Sequence, residues 1–164
     1  ISIDYVEADD VIAYAARHII YAFWNKIIVS SDKDFYQLCD KYTSIYRPIQ
    51  DKIITKQTVL EEFKIHPNNF ALARAIAGDP SDNLPGVSGV GLKTIAKRFP
   101  FLALEEESDC EKIIANCAMQ TKMLKLHENI IRSADLVKNN YKIMQLYSPN
   151  IRPINRIMKN IKRS

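Results

Sequence analysis

The chain predicts an α/β layer organised on a parallel sheet, followed by a mostly helical region. Two patterns carry the α/β part: Ala8, Val11, Ile12, Ala15 and Ile19 recur at helical spacing, and the short run Lys26-Ile27-Ile28-Val29-Ser30-Ser31 is β-branched and apolar on both faces, as suits a buried parallel strand. A third pattern closes it off. Asp79 to Gly91 holds three of the four glycines and two of the seven prolines, and helical spacing resumes after it.

Taken in order, Glu7 to about Phe23 reads as an amphipathic helix with acids in its first turn, and Lys26 to Ser31 as the core strand. Asp34 to Cys39 reads as a short helix. Thr43 to Arg47 and Lys52 to Ile54 read as two strands turning near Gln50-Asp51. Thr55, or Thr58, is placed to cap a helix ending at Phe63. Pro67 opens a further helix through Ala77, closed by Gly78. Gly91 to Phe99 is helical, and Met119, Met123, Leu126, Ile130, Ala134 and Val137 mark a longer helix. A basic tail runs from Arg152. One convincing core strand is too few for a parallel sheet, whose strands need neighbours. With Ile1 in first place, the expectation is a chain lacking N-terminal sequence.

At 164 residues and 47% hydrophobic, the chain can bury one core, or one core with a small appended subdomain. The densest apolar run, Ile19 to Trp24, is far short of the roughly 20 residues of a membrane span, so no membrane partner is expected. Cys39, Cys110 and Cys117 are odd in number and outside CxxC spacing, which argues against disulfides and structural zinc and for a reducing, cytoplasmic setting. Charge is divided unevenly. Residues 1 to 83 carry 9 Lys/Arg against 12 Asp/Glu, while residues 84 to 164 carry 14 against 7. A basic half suits a polyanion, and an acidic half working on that polyanion needs bound cations.

Seven acids fall into three groups: Glu7, Asp9 and Asp10; Asp32 and Asp34; Asp79 and Asp82. The first group opens a helix, the second follows the carboxyl end of the strand, where open α/β sheets bind ligands, and the third follows a helix. Taken singly, the first trio could merely complement a helix dipole, at about 0.3 to 1 kcal/mol each, and Asp79 and Asp82 could be turn residues. Together they offer the hard oxygen donors that Mg2+ or Mn2+ require. Two such ions about 3.5 to 4 Å apart can activate water at a phosphodiester and stabilise the leaving oxygen.

Leu84-Pro85-Gly86-Val87-Ser88-Gly89-Val90-Gly91-Leu92-Lys93-Thr94 places glycines directly before a helix start, where amide N–H groups can meet a phosphate and Lys93, Lys97 and Arg98 add charge. Neither the Walker spacing nor a dinucleotide fingerprint is present.

On Glu7-Ala8-Asp9-Asp10, Ser31-Asp32-Lys33-Asp34 and the run Gly78 to Thr94, in that order, the chain resembles the 5'-3' exonuclease/flap endonuclease family, bacteriophage members and the 5' nuclease domain of bacterial DNA polymerase I included. The resemblance covers about residues 5 to 100. It implies part of a PIN-like parallel-sheet nuclease layer over 1–66, a helix-three-turn-helix DNA-binding subdomain over 67–140 and a basic tail over 141–164. It implies hydrolysis of phosphodiesters at 5' ends or flaps in replication, repair or primer removal. Two Mg2+ or Mn2+ ions would be held by Glu7 and Asp9 on one side and Asp32, Asp34, Asp79 and Asp82 on the other, with Asp10 supporting. Glu7, Asp9, Asp32 and Asp34 would be catalytic. Gly86, Gly89, Gly91, Lys93, Thr94 and Lys97 would grip duplex or flap DNA, or RNA-DNA, with K+ at the glycine hairpin. Family members have further N-terminal acids and a basic arch, expected on sequence upstream or on a separate chain. The competing reading is a DNA-binding module without catalysis. The seven acids speak against it, since each would repel DNA unless cations were bound.

Overall fold

A computed structural model describes residues 7–146. Helix α1 (Ala8–Arg17) carries Asp9 and Asp10 in its first turn and Arg17 in its last, complementing its dipole, and buries Ala13, Tyr14 and Ala16. It is shorter than its apolar spacing predicts. His18 takes extended torsions, and its Nδ1 accepts from the Ile20 amide, so a 3-10 turn (Ile19–Tyr21) replaces the last helical turns.

Strand β1 (Lys26–Val29) pairs in parallel with β2 (Thr43–Arg47), and β2 pairs antiparallel with β3 (Lys52–Ile54). The register puts Ile28, Ile45 and Ile54 side by side on one face, all buried. The opposite face corrects the expectation of a strand buried on both sides: Ile27 is 62% and Val29 66% exposed. Nothing among the described residues covers them. A 3-10 helix (Lys33–Leu38) carries the crossover, and the β2–β3 turn uses Asp51 at φ 46°.

Helix α2 (Lys56–Phe63) begins in a reciprocal cap: Thr55 Oγ1 accepts from the Thr58 amide at 3.2 Å and Thr58 Oγ1 from the Thr55 amide at 3.3 Å. Helix α3 (Pro67–Ala77) is buried almost all round, with Phe70, Leu72, Ala73, Ala75 and Ile76 in the core. It is the central element, and one hydrophobic core runs continuously from α1 and the sheet across residue 66 into the later helices. Buried Asn69 serves as its polar hub, donating to Leu102, Leu104 and Glu106 carbonyls and accepting from the Ser108 amide.

The C-terminal part comprises α4 (Leu92–Arg98), α5 (Cys110–Ala118), α6 (Lys125–Arg132) and α7 (Ala134–Met144). The single longer helix expected over Met119 to Val137 is therefore two helices and a loop. Leu124 is extended and Ser133 sits at φ −97°, ψ 18°, so the ladder breaks at both, and Met119 and Met123 lie exposed before α6. Buried Gln37 ties the end of α7 to the crossover, donating to the Asp34 and Met144 carbonyls and accepting from the Leu146 amide. The tail beyond 146, including the basic stretch from Arg152, lies outside the described residues. The cysteines are free and buried. No helix among the described residues is long and apolar enough to cross a membrane.

Candidate active site and nucleic-acid interface

The Asp32 and Asp34 segment follows β1, as the α/β pattern requires, and its geometry is set locally: Asp32 Oδ1 accepts from the Asp34 amide at 2.8 Å and caps the 3-10 helix. Asp79 follows α3 and is pinned by paired backbone bonds with Leu84, at 2.8 and 2.9 Å. Asp79 Oδ1 also accepts from the Ser81 amide and hydroxyl, at 2.9 and 2.5 Å. These two segments wall a cleft of about 330 Å3 lined by Ser31, Asp32, Lys33, Arg74, Asp79, Ser81 and Asp82.

Arg74 joins the segments. Its Nε lies 2.9 Å from Asp34 Oδ1, and its Nη2 is in contact with Asp79 Oδ2. The three side chains are 9, 15 and 11% exposed. The cation is shared unequally. Burial alone would raise Asp79, but the Ser81 hydroxyl and amide and the guanidinium hold its carboxyl below the usual range. Asp34 is pushed up to about 6, by burial first; Arg74 opposes the shift, and the carboxylates of Asp32, Asp82 and Asp79 add to it. Although Asp34 Oδ1 and Arg74 Nε are close, neither makes a directed hydrogen bond, and both atoms are buried.

The α1 acids approach the same field. Burial raises Asp9, with Asp32, then Glu7, Asp10 and Asp82 contributing repulsion; Asp10 is raised by burial and by Glu7. Acids from all three segments thus feel one another. Among the described residues, however, no three acids, histidines or cysteines stand close enough to form a ready metal cage. The chemistry of the donors suits a hard divalent cation, and the buried Asp34 oxygen, which accepts no directed hydrogen bond, is a ligand atom held only by the charge of Arg74. The ligand set is thus gathered but not closed, with Arg74 between two of its members.

Arg74 is the residue that sequence reasoning passed over. A signal was there: a single charge within Phe70-Ala71-Leu72-Ala73-Arg74-Ala75-Ile76-Ala77, where a buried ion must find a partner. Lys33 and Ser81 were likewise not assigned roles, and both line the cleft.

The glycine loop divides in two. Gly78, at φ 78°, and Gly86 meet backbone to backbone, and a Cβ on either would overlap main-chain atoms of the other strand of the loop. Gly86 is therefore required for packing. Gly89, at φ 75°, and Gly91 face open space, as a phosphate approach needs. Lys93 and Thr94 occupy the first turn of α4, whose leading amides lack intrahelical partners. Lys97 is one turn further along on the same face as Lys93. It lines a separate, basic cleft with Arg98, Gln120, Thr121, Lys122, Leu124 and His127. Among the described residues, Lys93, Lys97, Arg98 and Lys122 join no ion pair.

Comparison with known proteins places this geometry. The family model of the 5'-3' exonuclease N-terminal resolvase-like domain matches residues 1–64. DNA polymerase I of Rhizobium leguminosarum is 34% identical over 140 residues, covering 85% of this chain and 13% of the polymerase. A 5'-3' exonuclease of Aquifex aeolicus is 40% identical over 88 residues, 54% of this chain and 30% of that protein. The chain thus spans less than a third of either relative. Among solved structures, the bacteriophage T5 flap endonuclease in a pseudo-enzyme-product complex with DNA and metal ions superposes with a TM-score of 0.73 at 25% identity, over 89% of this chain and 52% of that one. The three-stranded mixed sheet and the helices that follow it share that fold, and the chain belongs to the 5'-3' exonuclease/flap endonuclease family.

Proposed function

We propose that this chain is the acid-rich and DNA-gripping portion of a divalent-metal-dependent 5' nuclease that hydrolyses phosphodiesters at 5' ends, flaps or nicks in replication, repair or primer removal. The observation that carries the reading is the meeting of two acid segments, separated by more than forty residues of sequence, on one open cleft beside a buried arginine, with the α1 acids in electrostatic reach. Such repulsion is tolerated where cations are to be bound.

In this reading Asp32, Asp34, Asp79 and Asp82 hold one Mg2+ or Mn2+, and Glu7 and Asp9 contribute to a second, with Asp10 in support. Bound there, such ions would supply an activated water and charge neutralisation at the leaving oxygen. The chain's own residues do the positioning. The Asp79–Leu84 pairing and the Ser81 bonds fix one wall of the cleft, and the Asp32 cap fixes the other. The open Gly89 and Gly91 backbone, the α4 amides, Lys93, Thr94 and Lys97 hold the duplex by its phosphates, with K+ at the hairpin, and leave base edges unread. DNA is the substrate, with RNA-DNA as a second. A further acid-bearing segment, on the same or a separate chain, would complete the ligands of the ion to which Glu7 and Asp9 contribute.

The test is release of a 5' label from a flap duplex in Mg2+, with the upstream reading frame included. Cleavage should occur and should fall at least a hundredfold with Asp32→Ala. Unchanged cleavage in that variant would remove the cleft from the chemistry.

A further inference from the structure

Arg74 stands in the last turn of the most buried helix among the described residues, where an unpaired guanidinium would be prohibitively costly. Its partners come from two different acid segments, Asp34 after β1 and Asp79 after α3, and its side chain also lines the cleft they enclose. The two pairs differ in quality. Toward Asp79 the guanidinium makes a hydrogen bond, and that carboxylate is held further by Ser81. Toward Asp34 the atoms are 2.9 Å apart, yet neither Nε nor Oδ1 makes a directed bond. That second pair is held by charge alone, so another cation can take its place.

We propose that Arg74 is the built-in counter-ion of the acid cleft: it holds Asp34 and Asp79 together when no cation is bound, and it yields Asp34 when a divalent cation enters. This rests on the reading of the cleft as a cation site. Carboxylates that must lie near one another before a cation arrives need an interim positive charge, and a tethered guanidinium supplies it with no loss of ligand access at Asp32 and Asp82. A tethered cation also competes with the incoming one. Arg74 therefore sets how tightly the cleft loads. Asp79, with its separate hydrogen bonds, anchors the guanidinium throughout.

The test is calorimetric titration with Mn2+ and thermal denaturation in EDTA, on the wild type, Arg74→Met and Arg74→Lys, with native far-UV circular dichroism as the folding check. In EDTA the Met variant should melt below the wild type. It should bind Mn2+ at least tenfold tighter and gain more in melting temperature when Mn2+ is added, with Lys between the two. A Met variant that folds only with Mn2+ also supports the proposal, since the ion then replaces the lost charge. A folded Met variant binding Mn2+ as the wild type does, or more weakly, overturns it, because Arg74 would then orient the ligands or serve packing alone. Should Met fold in neither condition, the Lys variant decides, and affinity no tighter than wild type overturns the proposal. Asp32→Asn/Asp82→Asn separates the underlying reading: Mn2+ binding unchanged by that pair means the cleft is not the cation site, whatever Arg74 does.

Discussion

Asn140 on α7 donates from Nδ2 to the carbonyl of Pro85 at 2.8 Å, and the same amide also reaches Ala75 O at 3.0 Å, so one buried side chain binds α7 to both α3 and the start of the glycine loop. The end of α3 carries Arg74 and leads into Asp79, so the loop and the acid cleft share this brace. Asn140→Ala leaves the buried Ala75 carbonyl without this donor and frees the more exposed Pro85 carbonyl, and should destabilise the fold by about 1 to 3 kcal/mol. Asn140→Asp, which cannot donate when ionised, should be no better. Urea midpoints of the two variants against wild type check this; a loss of less than a few tenths of a kcal/mol would remove the brace from the account.

Gly86 and Gly91 should respond differently to the same substitution. At Gly86 an alanine Cβ overlaps the Ala77 carbonyl, so Gly86→Ala should cost about 3 kcal/mol or more. Gly91 has ordinary extended torsions and open surroundings, so Gly91→Ala should leave stability within about 0.5 kcal/mol. Duplex affinity, measured at low salt, should nonetheless fall in Gly91→Ala, because the new methyl stands where a phosphate approaches the backbone. Equal stability losses at the two positions would contradict the division of the loop.

His66 makes the start of α3 sensitive to pH. Its Nδ1 accepts from the Asn68 amide at 3.1 Å, its Nε2 is buried without a partner, and burial, aided by the Lys56 charge, lowers its pKa from the ordinary 6.5. The unfolded chain therefore takes up the proton before the folded one does. The stability contributed by His66 is present above about pH 6.5 and is lost as pH falls through the folded value. Asp34, raised to about 6, pulls the other way over the same range, so the observable is the difference between wild type and His66→Asn. Asparagine keeps the cap without titrating. The variant should gain relative to wild type as pH falls from 7 to 5, and parallel profiles would exclude His66 as the cause.

The open face of the sheet should drive association. Ile27 and Val29 on β1 and Ile53 on β3 are more than half exposed, and β1 pairs on one side only among the described residues. An apolar, single-sided edge of this kind invites a partner. Ile27→Lys/Val29→Lys should lower the apparent mass at high concentration in sedimentation and leave the melting temperature nearly unchanged. Unaltered association would locate the contact elsewhere.

Much of this was legible in the sequence because its signals are local. Strands β2 and β3, α3 between Pro67 and Gly78, the Thr55 cap and the three acid groups all follow from spacing and capping chemistry. What escaped depends on tertiary context. The break of the expected 119–137 helix at Ser133 is invisible to apolar periodicity, which α6 and α7 continue in phase. The exposed face of β1 reads as buried because Ile27 and Val29 are apolar whatever lies over them. Arg74 was visible as a lone charge, but its partners are 40 residues upstream and five downstream, and only the fold brings them to one guanidinium.

Mn2+ titration of wild type against Asp32→Asn/Asp82→Asn decides whether the carboxylates of the cleft bind a divalent cation. Both side chains are exposed and neither enters an ion pair among the described residues, so the exchange removes ligand charge with little effect on folding. The wild type should bind Mn2+ saturably, and the variant with at least a tenfold weaker affinity. Equal affinity in the two proteins, both folded, would contradict it.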